Sequence, residues 1–556
     1  MMRGDAAEEA LLERAAALVT QYRIDSDDQL GPLFQSAEHA DPEVMRRLRQ
    51  MFEAGGWVLL ESAIADLPAD LRWLFESGAV TLEQLTAIYR ARGATSVADL
   101  AAAVADGALG GIDGVGPDVE TAVAAALPML RVSIPRIPLG RATFIIEPFL
   151  AALRASAGIN WAYPIGSLRR GQDTVGDIEI VASCADAAPI LGQLLSIGDE
   201  GRCLHRSERR TYILSDRVQV GIRLPAPENA GAELLYLSGS PAHFGLLQTF
   251  AAERGWQLKP GGLFGPDGQL RPSPTEDDIY DTLGLPLIPP ELRNGEDEVD
   301  KAAGGTLPTL VCRRDIRGDL HMHTTWSDGR DSIDAMVEAS RALGYQYVAI
   351  TDHSPHSAAT RNLTIDGVKR QAEEIAAARE RYPEIAVLHG CEVDILPDGR
   401  LDFPDRVLER FDIVLASLHE RVGHSPDQLM KRYASAMRHP LVTLITHPSN
   451  RMVPHKPGYE LDYDRLFQIA VETRTVVEID GSPSHLDLDG ELASRAIAAG
   501  AMVAIDSDSH RAEWLDRQMA LGLVMARRGW VEARHVINAR PLDEVRALIA
   551  AKRASR

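Results

Sequence analysis

GDLHMHTTWSDG, residues 318–329, sets His321 and His323 two positions apart and places Asp328 in the loop that follows them. Its surroundings decide the fold. From about residue 315 onward, apolar runs recur as YVAIT, IAVLHG, IVLAS, VTLIT, VVEID and MVAID, each separated by a helix-length segment such as DGVKRQAEEIAAARERY. Short apolar strands alternating with helices predict a parallel β/α barrel over residues 315–556.

In such a barrel the chemistry sits just past the C-terminal end of each strand. Those positions hold His321, His323 and Asp328, then His353 after YVAITD, Glu392 after LHGC, His419 after VLASL, His447 after TLIT, and Asp508 and His510 in IDSDSH. A lone histidine beside an apolar strand is ordinarily a core residue. Nine imidazoles and carboxylates at successive strand ends are a metal-ligand set. Imidazole with carboxylate suits zinc, manganese or iron, and nine ligands exceed what one ion needs, so two or three ions are expected. Ions about 3.5–4 Å apart activate water near neutral pH and clamp phosphoryl oxygens, which is phosphoesterase chemistry without a serine or cysteine nucleophile.

The rest of the composition narrows the context. At 556 residues the chain is long enough for several domains, and 45% apolar with 25% charged residues is the balance of a folded protein. A net charge of −22 argues against broad attraction to a polyanion, so any contact with DNA has to be local. The first twenty residues are acidic where a signal peptide is basic, and no uninterrupted apolar run is long enough to span a bilayer. A cytoplasmic protein without membrane contact is therefore expected. The four cysteines are scattered, indicating neither a disulfide framework nor a thiolate zinc site.

Upstream of the barrel, residues 1–132 alternate helical periodicity with short breaks, as in LLERAAALV, VMRRLRQMF, TLEQLTAIYRARG and VADLAAAVA, and predict a small all-α region. Within it GGIDGVGPDVETAVAAAL opens a helix with a Gly-x-Gly turn. Gly114 and Gly116 could offer backbone N–H groups to a DNA phosphate, but the neighbouring Asp113, Asp118 and Glu120 favour an ordinary turn between helices. Residues 133–292 contain strand-like runs with helices between them, an α+β pattern, and the charged, then Gly-rich segment 293–314 reads as a linker. In RGQDTVGDIEIV, residues 170–181, Asp177 and Glu179 share one face of a strand, a pair able to grip a divalent metal such as Mg²⁺.

Residues 316–556 resemble a PHP (polymerase and histidinol phosphatase) domain through GDLHMHTTWSDG, ITDHS, GCEVDILPDGRLDFPD, ASLHE, THPSNR and IDSDSH. Together with GSLRRGQDTVGDIEIV and LLYLSGS, they make the whole chain resemble the bacterial family X DNA polymerases that carry a C-terminal PHP domain. The resemblance implies a helix-hairpin-helix region, a nucleotidyltransferase-like polymerase core and a distorted TIM-like barrel. It also implies three metal sets: His321, His323, Glu392 and Asp508; Glu392, His419 and His447; and Asp328, His353 and His510. Glu392, Asp508, His510 and Arg451 become the expected catalytic residues, with Arg451 touching phosphate. In the core, Ser167, Arg170, Gly239 and Ser240 become expected nucleotide contacts, and Asp177 and Glu179 two of three metal acids. The third acid is missing: Gly221 stands in its place in RVQVGIRL. Ala242, His243, Phe244 replace the family's Ala-His-Asn, and no lysine precedes Lys259 to form the Schiff base of a lyase. The expected activity is therefore hydrolysis at DNA 3′ ends with polymerase chemistry lost. The alternatives are a phosphatase for a small phosphate monoester, or a non-catalytic DNA-end or nucleotide sensor.

Overall fold

The computed structural model describes residues 67–554 except 134–135, 195–196, 198–202, 216–217, 358–360 and 420–422, together with Arg14 and Val44. The helices expected around LLERAAALV and VMRRLRQMF fall, but for Arg14 and Val44, outside the described residues.

Four helices open the described chain: α1 (Ala69–Glu76), α2 (Leu82–Arg92), α3 (Val97–Ala105) and α4 (Gly116–Ser133). Thr81 and Ser96 start α2 and α3 with capping boxes, each side chain accepting the N–H of the third helical residue and being answered by that residue's own side chain. Leu71, Leu74, Leu85, Ile88, Leu100 and Val123 form a separate small core. The Gly-x-Gly turn does open α4, with Gly114 and Gly116 both at positive φ.

The core domain begins with α5 (Leu139–Ala155), whose Ile145, Phe149 and Leu153 pack on a five-stranded sheet. Its strands are β1 (Ile159–Pro164), β2 (Ile178–Cys184), β3 (Cys203–Arg206), β4 (Arg210–Ser215) and β5 (Val218–Arg223), in the order β1-β2-β5-β4-β3. Only the β2–β5 pair is parallel, with Glu179 opposite Gly221. Helices α6 (Ala230–Ser238) and α7 (Pro241–Ala252) then lead to a small antiparallel sheet of β6 (Gln257–Lys259), β7 (Gly262–Phe264) and β8 (Leu270–Arg271), with its own apolar core. The segment 293–314 is not a loose linker. Arg293 is fully buried on Glu276 at 2.7 Å, and Val299, Ala302 and Leu310 join this second core. Of the segment's charges, Arg293 and Glu298 are paired inside, while Glu296, Asp297 and Asp300 stay exposed.

The C-terminal part is a nearly closed parallel barrel of seven strands in sequence order: β9 (Gly318–Asp319), β10 (Tyr347–Ile350), β11 (Ala386–Asp394), β12 (Ile413–Ser417), β13 (Leu444–Ile445), β14 (Val476–Asp480) and β15 (Val503–Asp506). The ring is drawn together where Met322 bridges Ser509 and the His323 N–H donates to the Ser509 carbonyl at 2.9 Å. Apolar residues of the core sheet and of the barrel belong to one continuous buried cluster, so the two domains meet through packed side chains. Among the described residues no helix is long and apolar enough to cross a membrane.

The helical region docks on the core sheet through charge. Asp99 of α3 accepts from Arg223 Nη1 at 2.6 Å and from Arg210 Nη1 at 2.7 Å, and Ser96 Oγ accepts from Arg223 Nη2 at 2.7 Å. Burial alone would raise the Asp99 carboxyl, but Arg223 and Arg210 outweigh it and hold it well below the usual range. Removing one partner of a buried pair strands the other charge, at a cost of about 3–5 kcal/mol. Asp99→Ala is expected to lower unfolding stability by about that amount at pH 7. The difference should persist above the ordinary carboxylate pKa of about 3.9 and shrink as pH falls toward the depressed folded value. Denaturant titrations at pH 7 and pH 3 check it, and wild-type stability at pH 7 would refute the joint.

Candidate metal centre

All nine barrel residues come together at one end of the ring. Glu392 lies inside β11, two residues before its end, and not beyond the strand as the sequence suggested, because β11 runs on to Asp394. Its carboxylate is 0% exposed and has five imidazoles around it. His353 Nδ1 lies 2.9 Å away, His447 Nε2 3.0 Å, His321 Nε2 and His419 Nε2 3.4 Å, and His323 Nε2 3.5 Å. Asp508 adds an oxygen 3.1 Å from His323 Nε2, and Asp328 lies 3.2 Å from His510 Nε2.

Three convergent sets could each hold an ion, their ligand atoms within 4.8 Å of one another: His321, His323 and Asp508; His353, Glu392 and His419; and His323, Asp328, His353 and His510. The grouping differs from the expected one in sharing His323 and His353 between neighbouring sets, while His447 reaches the cluster through Glu392. The local polar bookkeeping fits cations. Glu392 Oε2 and His353 Nδ1 are buried, lie 2.9 Å apart, and yet have no hydrogen-bond partner. His321 Nε2 and His323 Nε2 face each other at 3.1 Å, a contact two neutral imidazole lone pairs would avoid and a shared cation would reconcile.

The outer nitrogens of three of these rings are held in place. His321 Nδ1 meets Glu478 Oε1 at 2.7 Å, His419 Nδ1 meets Asp394 Oδ1 at 3.0 Å, and His510 Nδ1 donates to the Asp508 carbonyl at 3.0 Å. Each contact fixes the tautomer and turns Nε2 toward the centre. Glu478 also accepts the His447 N–H at 2.7 Å, so one carboxylate orients two loops. Electrostatics divide the cluster sharply. Burial would raise the Glu392 carboxyl, but His353, His419 and His321 hold it far below its usual range. Burial, with the His353 and His510 imidazoles, pushes His323 down to about 3. His510 goes up to about 9, where Asp328 and Asp508 overcome burial.

Arg451, expected to touch phosphate, is committed elsewhere. Its guanidinium donates to the His485 and Leu486 carbonyls at 3.0 Å and to Asp173 of the core at 2.7 Å. In the core, the structure brings Arg170 against Gly239 and the Ser238 carbonyl, with Ser167 on the same helical turn and Ser240 capping α7 through the His243 N–H. Asp177 precedes β2, which begins at Ile178. Glu179 does not present a vacant carboxylate for Mg²⁺: Oε1 accepts from Tyr212 Oη at 2.7 Å and Oε2 from Arg223 Nε at 3.0 Å. A fixed guanidinium stands beside Glu179, and Gly221 across the strand pair contributes no acid. His243 is buried between Glu298 at 2.7 Å and Tyr280 at 2.9 Å, and Phe244, which stands where the family has asparagine, is buried in the second apolar core. At the turn into α4, Glu120 accepts the Gly110 N–H, turning one acid inward beside Gly114 and Gly116.

A family model for the DNA polymerase beta thumb matches residues 233–294, and one for the PHP domain matches residues 319–479. The "DNA polymerase/3'-5' exonuclease PolX" of Bacillus subtilis is 33% identical over 506 residues, covering 90% of this chain and 88% of that protein. The chain belongs to the PolX family. Proteins named "Probable phosphatase" resemble the barrel part of this PolX chain alone. One from Caldanaerobacter subterraneus is 30% identical over 34% of the chain and 75% of its own length, and one from Syntrophotalea carbinolica 27% identical over 35% and 80%.

Two residues of the centre escaped sequence reasoning, Glu478 in VVEID and Asp394 in GCEVD. The signal was present: an acid inside an apolar parallel strand needs a partner, and Asp394 shares the strand face of Glu392. Removal of such an outer partner typically weakens metal binding about 10–100-fold. Glu478→Ala is expected to lower Zn²⁺ or Mn²⁺ affinity by about that factor with the fold retained, measured by chelator competition alongside circular dichroism.

Proposed function

We propose that the barrel of this PolX chain is a metal-dependent phosphoesterase acting on DNA 3′ ends, as a 3′→5′ exonuclease or 3′-phosphatase in DNA repair, and that the core has lost primer extension. The observation that carries this reading is the buried Glu392 carboxylate within 3.5 Å of five imidazoles, flanked by two further acids. Divalent ions held by these residues would supply Lewis-acid polarisation of a phosphate ester and an activated water at neutral pH. The chain's own residues do the remaining work. Glu392, ionised throughout the physiological range, supplies negative charge to the set it forms with His353 and His419, and lies within 3.5 Å of His321 and His323 as well. Glu478, Asp394 and the Asp508 carbonyl lock the ring orientations. His510, partly exposed at the rim and 3.2 Å from Asp328, completes the set formed with His323 and His353.

The loss of polymerase chemistry is supported by the Arg223 guanidinium on Glu179. Nucleotidyl transfer needs acids that bridge two metals, and an arginine held by Asp99, Ser96 and Glu179 occupies that charge site without offering a ligand. A small phosphate monoester as substrate is the second reading, favoured by the phosphatase-named relatives that match the barrel alone.

Hydrolysis of 3′-labelled single-stranded DNA and of small phosphate monoesters by wild type, Glu392→Ala and Asp177→Ala, with bound metal counted in each, tests the assignment. Glu392→Ala is expected to lose activity by orders of magnitude, and Asp177→Ala to keep it nearly unchanged; chelator abolishes turnover and Mn²⁺ or Zn²⁺ restores it. Wild-type turnover in Glu392→Ala, or wild type that binds metal and hydrolyses neither substrate class, refutes the enzyme reading. Primer extension with Mg²⁺ or Mn²⁺ and all four nucleotides is expected to be absent, and template-directed extension abolished by Asp177→Ala would refute that part.

A further inference from the structure

Asp173 lies in the turn just after the core's Gly-Ser-x-Arg-Arg-Gly loop, yet its partners are in the barrel. Its Oδ2 accepts from Arg451 Nη1 at 2.7 Å. Its Oδ1 lies 3.5 Å from Arg528 Nη1 on a barrel helix, α8 (Leu515–Arg528), and that nitrogen donates to the Gly171 carbonyl at 2.9 Å. Arg451 therefore ties three stretches of chain together. Besides Asp173, its Nε holds the His485 and Leu486 carbonyls at 3.0 Å and its Nη2 the Leu486 carbonyl at 2.5 Å.

Both barrel loops gripped by Arg451 border the candidate metal centre. One begins at His447, which touches Glu392, and continues through Ser449, whose N–H donates to Asp487 Oδ2 at 2.9 Å. The other carries His485, whose ring stacks on that of His447 at 5.2 Å and 20°. Their backbones are not relaxed: His447, Asn450 and Leu486 all sit at positive φ, at 23°, 47° and 49°. Such conformations persist only where the surroundings over-determine them. The surroundings here include the core. A Cβ at Gly171 would overlap Val524 of α8 and one at Gly140 would overlap Pro483, so the two domains press together beside both loops. Asp489 of the barrel also lies 3.3 Å from Arg451 Nη1, but Asp173 is the nearer carboxylate and the one that comes from outside the barrel.

We propose that Asp173 of the polymerase-like core is a positioning residue for the barrel's hydrolytic centre: through Arg451 it fixes the loop that carries His447 and thereby the geometry at Glu392. The proposal rests on the phosphoesterase reading for its catalytic consequence, and not for its structural one. On this view the core is a working part of the phosphoesterase even without chemistry of its own.

The test uses the full chain as wild type, Asp173→Ala, Asp173→Asn and Asp173→Glu, with three readouts. These are steady-state hydrolysis of 3′-labelled DNA, the visible absorption bands of the Co²⁺-loaded protein, and amide exchange of Val453, whose N–H donates to the Ser484 carbonyl at 2.9 Å. Asp173→Ala and Asp173→Asn are expected to lower kcat about tenfold or more with KM little changed, a loss typical of misplaced catalytic groups. They should also shift the cobalt bands and speed exchange at Val453, while Asp173→Glu recovers part of each. Wild-type kcat, bands and exchange in Asp173→Ala overturn the proposal, as does a loss that only follows the unfolded fraction in a thermal melt. Should wild type hydrolyse no phosphate ester, the enzyme reading fails on its own, and the cobalt bands and Val453 exchange still decide whether Asp173 positions His447.

Discussion

The Glu392 carboxylate, buried without solvent access and ringed by five imidazoles, is the interaction on which the rest of the barrel's polar architecture depends. A buried carboxylate is tolerable only with compensating charge and hydrogen bonds. Compensation here comes from side chains that can exchange a proton for a cation, and two of them, His321 and His419, have a second carboxylate partner that keeps the ring fixed. That requirement places Glu478 and Asp394 inside otherwise apolar strands. It also explains the backbone at the rim. His447 and Asp508 sit at positive φ, conformations that cost about 1–3 kcal/mol each and are retained where function constrains them.

Glu179 in the core is another buried carboxylate on a strand, and its compensation is of the opposite kind. Glu179 is compensated by Arg223, whose guanidinium keeps its charge at any physiological pH and is itself held by Asp99 and Ser96. An imidazole can lose its proton and become a metal ligand, whereas an arginine cannot. The choice of counter-charge thus separates a centre suited to ions from a joint between domains. Opposite Glu179 stands Gly221, and the Arg223 beside it is where the helical region is fastened to the sheet.

The barrel and its nine converging residues were legible in the sequence because strand and helix periods alternate cleanly and the ligands sit at a fixed phase of that repeat. Glu478 and Asp394 were less visible because an acid inside an apolar strand has no local signature of its partner. Arg451 was misjudged for a related reason. Its sequence neighbours revealed its closeness to His447 but not that its guanidinium crosses to Asp173, 278 residues away along the chain. The segment 293–314 was read as a linker from its charges, and only the fold shows Arg293 and Glu298 paired in the interior. In each case the missing information was a long-range partner, which composition and spacing do not encode.

The closure of the barrel bears on how the protein comes into being. The ring is drawn together between segments from its two ends, where Ser507 Oγ reaches the His321 carbonyl across 186 residues of sequence, with Met322 and His323 meeting Ser509 beside it. Contacts of such separation form late, because the loop-closure entropy must be met before they stabilise anything. A nascent chain on the ribosome therefore carries His321 and His323 for most of the barrel's synthesis without Asp508 or His510 beside them. The full cluster of nine residues can therefore come together only once the last strand of the barrel has been made.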